Sequence, residues 1–114
     1  MKGTTNIYVM GTAVGDIAYK IGHATKPEKR RSQLYSGSPF GARLLGSTEI
    51  PKEVVNAVEK SLHKRYSASQ VGGEWFALPE GRSEKWFIKD VLESAPLFAQ
   101  AHQASKRFQA WNGT

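Results

Sequence analysis

The chain has 114 residues, 39% apolar and 23% charged, which suits one globular domain with a modest core and does not suit a disordered segment. It has no cysteine, so disulfide frameworks and zinc–thiolate sites are excluded and a reducing, cytoplasmic setting is expected. No apolar run reaches the length of a membrane span, and the N-terminus lacks the basic-then-apolar order of a signal peptide, so no membrane partner is expected.

The segment Asn6-Ile7-Tyr8-Val9-Met10 is β-branched and aromatic and predicts a first strand. Gly11 to Asp16, with two glycines and an aspartate, predicts a hairpin turn, and Ile17 to Gly22 returns as a second strand. Thr25-x-x-Glu28 is a capping-box pattern with Pro27 in the first turn, predicting a helix from near Lys26 to about Tyr35, stopped by Ser36-Gly37-Ser38-Pro39. Ala42 to Ile50 predicts a third strand.

Pro51 opens a second helix whose Val54, Val55, Val58, Leu62 and Tyr66 recur at helical spacing. Ser67 to Gly73 reads as polar loop, and Glu74 to Leu78 as a short extended piece closed by Pro79. Ser83 caps a further helix. Pro96 removes a backbone donor and crowds the preceding turn, so two C-terminal helices are expected, about 83–94 and 96–111. The order β-β-α-β-α followed by helices predicts an α+β fold: a small three-stranded antiparallel sheet flanked by helices, with residues 1–80 as the main domain and 81–114 as a helical extension packed on it.

Charge and spacing then nominate a site. The net charge is +6, and a small basic domain attracts polyanions, of which nucleic acid is the usual one, although basic charge also serves solubility alone. The charge clusters at Lys26, Lys29, Arg30 and Arg31, and again at Lys60, Lys64 and Arg65. Arg30, early in the first helix, is placed to grip two phosphate oxygens at once. Glu59-x-x-x-His63 puts a carboxylate and an imidazole on one helical face beside the buried stripe, where they form either a surface pair or a shared metal site. Strand alternation sends Lys20 to the face opposite Tyr19 and Ile21, without saying which face meets the core. His23 follows Gly22 at the end of its strand, where a functional side chain is well presented. Phe98, Phe108 and Trp111 either pack on the domain, the reading preferred here, or anchor a homodimer or protein partner.

The ordered set Ile7-Tyr8-Val9, Lys20-Ile21-Gly22-His23-Ala24, Pro27-x-x-Arg30, Glu59-x-x-Leu62-His63 and Gly73-Glu74-Trp75-Phe76 resembles the GIY-YIG nuclease superfamily, in the phage-type branch that has Lys-Ile-Gly and ends in Gly-Glu-Trp-Phe. The resemblance covers about residues 5–78. It implies a metal-dependent endonuclease acting on DNA in preference to RNA. Tyr8 would help activate the attacking water, in a network with Lys20, His23 and His63. Lys20 stands where tyrosine is usual, Arg30 matches the catalytic arginine, and Glu59 matches the glutamate that holds one Mg²⁺ or Mn²⁺. Lys26, Lys29, Arg31 and Trp75 are expected on the nucleic-acid-binding surface. Asn6 replaces the first glycine of the family motif, and the asparagine that closes the site in other branches has no clear match after Tyr66. A non-catalytic module that grips nucleic acid in the same cleft would carry nearly the same residues.

Overall fold

Four consecutive residues of the first strand, Ile7, Tyr8, Val9 and Met10, are all buried, so both faces of that strand are covered. In a computed structural model, which describes residues 3–12, 18–37 and 41–112, this strand is an inner strand of the sheet. β1 (Thr4–Thr12) pairs antiparallel with β2 (Tyr19–Ala24) on one side and β3 (Ala42–Pro51) on the other. α1 (Pro27–Gly37) joins β2 to β3, and α2 (Val55–Arg65) follows β3 through one 3₁₀ turn at Lys52–Val54. A second 3₁₀ turn, Ser67–Ser69, leads to β4 (Gln70–Gly72), β5 (Trp75–Phe76) and a long α3 (Glu84–Asn112).

The fold is α+β with an antiparallel sheet, but the sheet has five strands, not three, in the order β3-β1-β2-β5-β4. The two additional strands lie where the sequence reads as polar loop and as a short extended piece, since both are too short to show alternation. β4 is exposed along its whole length, and β5 is two residues long. Backbone pairing, to which side-chain pattern is blind, makes them strands.

Alternation divides the sheet into two faces. Ile7, Val9, Tyr19 and Ile21 join Val54, Val55, Val58 and Leu62, together with Phe87, Val91, Ala95 and Ala99 of α3, in one buried cluster. Tyr8, Met10 and Lys20 project to the other face, along which α1 runs. Close packing on the core face leaves no room for a side chain at Gly46 of β3, where a Cβ would come within 2.7 Å of Leu92 Cδ1 on α3.

α3 is one continuous helix, where two were expected, with Pro96 inside it. Its stripe Phe87, Val91, Ala95, Ala99 keeps four-residue spacing straight through the proline, and all four are buried. Proline in a helix interior costs about 3 kcal/mol; breaking the helix would expose an unbroken apolar face. Ser83 caps it as expected, its hydroxyl accepting from Trp86 N–H at 3.1 Å. Phe98 is partly buried against the core, whereas Phe108 is 63% exposed and does not pack on the domain. The side chain of Trp111 lies outside the described residues, as do most of the expected hairpin turn and the Ser38-Pro39 helix stop.

The first helix starts one residue later than its capping box suggests. Arg30 N–H reaches the Lys26 carbonyl at 3.2 Å, so Lys26 is the capping residue and Pro27 the first helical one, a position where its missing donor is not needed.

Candidate functional site

The site forms where the sheet runs out. β5 pairs with β2 only at Tyr19 and Lys20, after which Ile21 N–H bonds the Glu74 carbonyl at 3.2 Å; the rest of that β2 edge carries no strand. Side chains from both faces of β2 reach this open edge.

On the α1 face, Tyr8 lies directly across from Gly22 in the strand register. The ring sits so close that a Cβ on residue 22 would be 2.7 Å from the hydroxyl oxygen. This contact explains the glycine of Lys-Ile-Gly. Burial raises the pKa of the Tyr8 phenol, against the opposing influence of the Arg30 guanidinium and the positive charge of Lys20. Lys20 is buried and ion-paired, its Nζ 2.8 Å from Glu74 Oε2 and 5.9 Å from the centre of the Trp75 ring.

On the opposite face, Glu59 of α2 shares a short hydrogen bond with His23, between Oε2 and Nδ1. Its pKa is raised, chiefly by burial, with Glu74 adding to the rise and the His23 hydrogen bond opposing it. Burial would also raise Glu74, but hydrogen bonds from Lys20 and Glu59 outweigh it and leave Glu74 lowered. Both carboxyls line one hollow, Glu74 held ionised by the lysine and Glu59 the one that favours a proton. His63 Nε2 is 2.9 Å from the Ile21 carbonyl, which can only accept, so Nε2 carries the hydrogen. At 3.8 Å from Glu59 Oε1, that nitrogen is too far to bond it as well. The imidazole, tilted against Phe76, ties α2 to the β2 backbone.

Two hollows adjoin here. One, of about 340 Å³, is lined by His23, Asn56, Glu59, Lys60, His63, Gly73 and Glu74. The other, of about 550 Å³, is lined by His23, Ala24, Thr25, Lys26, Lys29, Arg30 and Gln33. His23 belongs to both. The first carries both carboxylates together with Lys60, and the second carries Lys26, Lys29 and Arg30 without a carboxylate. Arg31 lies away from them, in a hollow with Glu28, Ala42, Arg43 and Leu44, and Trp75 serves Lys20 without lining either. Tyr19, adjacent to Lys20, points into the opposite face, where its hydroxyl donates to Glu84 at 2.6 Å.

Among the described residues, no three His, Asp or Glu side chains converge as a ready-made metal-binding group. The oxygen donors of Glu59 and Glu74, with the Asn56 amide lining the same hollow, suit a hard divalent ion such as Mg²⁺ or Mn²⁺ that keeps waters and takes further ligands from a substrate. Sequence reasoning quoted Glu74 as part of Gly-Glu-Trp-Phe but gave it no place in the site; its only signal was that position beside Trp75. Asn56, Thr25 and Gln33 carried none.

The α+β domain thus gathers carboxylates, a phenol and a guanidinium about one open sheet edge. Residues 5–91 match the T5orf172 domain, and the chain belongs to that family, which is related to GIY-YIG and phage nuclease-like domains. Membership points to a nuclease-like or nucleic-acid-related role. The match runs into α3 as far as Val91, two turns past Glu84. No curated protein and no solved structure matches the chain. No helix among the described residues is long and apolar enough to cross a membrane.

Proposed function

We propose that the protein is a GIY-YIG-type endonuclease that hydrolyses phosphodiester bonds in DNA with the help of one divalent ion, Mg²⁺ or Mn²⁺. The observation that carries this reading is the gathering around the β2 edge of Tyr8 near the positive charges of Arg30 and Lys20, of Lys20 paired to Glu74, and of Glu59 bonded to His23 in the hollow that Glu74 also lines. Glu59 would hold the ion, with Glu74 beside it; when bound, the ion supplies Lewis-acid neutralisation of the phosphate and of the departing oxygen.

The remaining chemistry belongs to the chain. Tyr8 is protonated at neutral pH, because its pKa is raised. To act as base it first loses its hydroxyl proton to solvent; the positive charges of Lys20 and Arg30 favour that phenolate, which then takes a proton from the attacking water. Arg30 also lines the cationic hollow, where its guanidinium can grip phosphate oxygens. Lys26 and Lys29 in the same hollow hold the strand on one side of the reacting group. His23, common to both hollows, orients Glu59.

The test is incubation of pure protein with plasmid, single-stranded DNA and RNA in Mg²⁺, Mn²⁺ or EDTA. Metal-dependent nicking of DNA is expected, and Glu59→Ala abolishes it without loss of the fold by circular dichroism. Cleavage at the wild-type rate by Glu59→Ala rules the scheme out. A second reading, a module that binds nucleic acid without cutting it, is favoured by one observation: the Glu59 carboxylate is already engaged by His23 and Glu74. Salt-sensitive binding with no product in any metal would establish that reading.

A further inference from the structure

The geometry points to the Glu74-Trp75 pair as a clamp that positions Lys20, with Glu74 the residue through which the α1 face and the α2 face of the site are coupled. This inference rests on the nuclease reading for its effect on catalysis, but its structural content stands apart from it.

The starting point is an oddity of side-chain economy. Lys20 sits on a strand with only 8% of its surface exposed, in a chain whose other lysines have solvent available. A lysine stem is long and flexible, with several rotatable bonds, so a buried ammonium needs fixed partners to stay buried and charged. Lys20 has two. Glu74 Oε2 lies 2.8 Å from its Nζ, and the Trp75 ring lies 5.9 Å away, within reach of a cation–π contact. Both partners come from successive residues of one short segment, and the backbone fixes that segment against Lys20 itself: Lys20 pairs with Trp75 in the sheet, and Ile21 N–H bonds the Glu74 carbonyl. β5 is two residues long and contributes Phe76 alone to the core. Its pairing with β2 therefore does little for the sheet as a sheet and much for the placement of Lys20.

Glu74 does more than neutralise. Its carboxylate pairs with Lys20 and lines the same hollow as Glu59. Lys20 and Tyr8 lie on one face of the sheet, and Glu59 and His23 on the other. Glu74, directly before β5 where the edge opens, pairs with a member of the first set and shares a hollow with the second. Without it, the Lys20 ammonium loses its acceptor and the stem regains its rotamers, so the positive charge beside Tyr8 is no longer held in one place.

Glu74 is thus a positioning residue: it acts through Lys20. Its carboxylate is 42% exposed, so Glu74→Gln is expected to fold. The experiment compares wild type, Glu74→Gln, Lys20→Met and the double variant, all of full length, by two readouts. The first is independent of cleavage: in ¹⁵N-lysine-labelled protein an immobilised, ion-paired ammonium gives a long-lived N–H correlation, assigned to Lys20 by its loss in Lys20→Met. That correlation is expected to vanish in Glu74→Gln. The second is kinetic: Glu74→Gln should lower kcat by about 10- to 100-fold, the usual cost of removing a residue that orients a working group, with KM changed little. The double variant should be no slower than Lys20→Met.

A Lys20 ammonium signal that persists in Glu74→Gln overturns the clamp. So does a double variant slower than Lys20→Met by the full Glu74→Gln factor, since additivity means that the two residues act apart. If wild type cuts nothing, the nuclease reading fails and the ammonium readout alone decides the clamp.

Discussion

At Gly22 the space between two strands is set by a phenol. A methyl group added there would press on Tyr8 Oη at 2.7 Å and on Cζ at 2.9 Å, so Gly22→Ala must push the ring away from Arg30. Overpacking of a buried site costs about 1–3 kcal/mol, and the expected outcome is a modest drop in urea midpoint with a much larger loss of cleavage. Tyr8→Phe separates the two effects: it keeps the ring and removes the oxygen, so stability should hold while cleavage falls by about 10²- to 10⁴-fold, the range for loss of a proton-transfer group. Single-turnover rates on a short duplex, with chemical denaturation of the same samples, check both. The residues of this site were readable one by one, because Tyr8, Lys20, Arg30 and Glu59 stand in an ordered pattern with unusual chemistry. Their connection was not readable. Whether Lys20 faces the core depends on which sheet face α2 and α3 cover, and that is decided by contacts distant in sequence. Glu74 escaped notice for the same reason, since its role comes from two residues far away along the chain.

At the scale of elements, α2 and α3 are joined by a polar knot at their outer edge. Arg65 donates to Asp90 from Nε at 2.9 Å and from Nη2 at 3.1 Å, and the Tyr66 hydroxyl donates to the same carboxylate. Burial would raise the pKa of Asp90, but the Arg65 and Tyr66 hydrogen bonds outweigh it and leave the pKa lowered. A carboxyl lowered on folding stabilises the native state at pH values above its unfolded pKa, about 3.9 for aspartate. That stabilisation is lost as pH falls through the lower, folded value. Asp90→Asn is therefore expected to cost about 1–2 kcal/mol at pH 7, kept modest by the partial exposure of Arg65. The difference from wild type should shrink below about pH 4, as measured by urea unfolding across that range. Pro96→Ala is the complementary case. Restoring the missing donor in an already formed helix should stabilise by about 1–2 kcal/mol, the helix gain reduced by the greater freedom of the unfolded chain, and cleavage should not change. β1, β2, β3, α1 and α2 were legible from hydrophobic period and caps. The continuity of α3 was not, because a local rule about proline was overruled by a buried stripe running along both sides of it. β4 left no mark in the sequence and β5 showed only as a short extended piece, because their place in the sheet comes from backbone pairing.

For the whole molecule, the net charge of +6 leaves open whether nucleic acid would be held by a diffuse field or along a defined path. The arrangement of cations distinguishes them. Lys26, Lys29 and Arg30 share a hollow with His23, whereas Arg31, the next residue in the chain, opens into another. Each phosphate neutralised on a duplex contributes about −0.9 to the slope of log affinity against log salt. If the strand runs through the hollow beside His23, Lys29→Ala should make that slope shallower by about one contact and weaken binding similarly across sequences, while Arg31→Ala should alter it far less. Anisotropy with a labelled duplex between about 50 and 200 mM salt, in EDTA to suppress cutting, measures both. Equal losses for the two variants would mean that the protein is attracted by its charge as a whole. In that event the cationic hollow does not set the direction of the strand, and the placement of a phosphate at the β2 edge would have to come from Arg30 and from the ion proposed at Glu59.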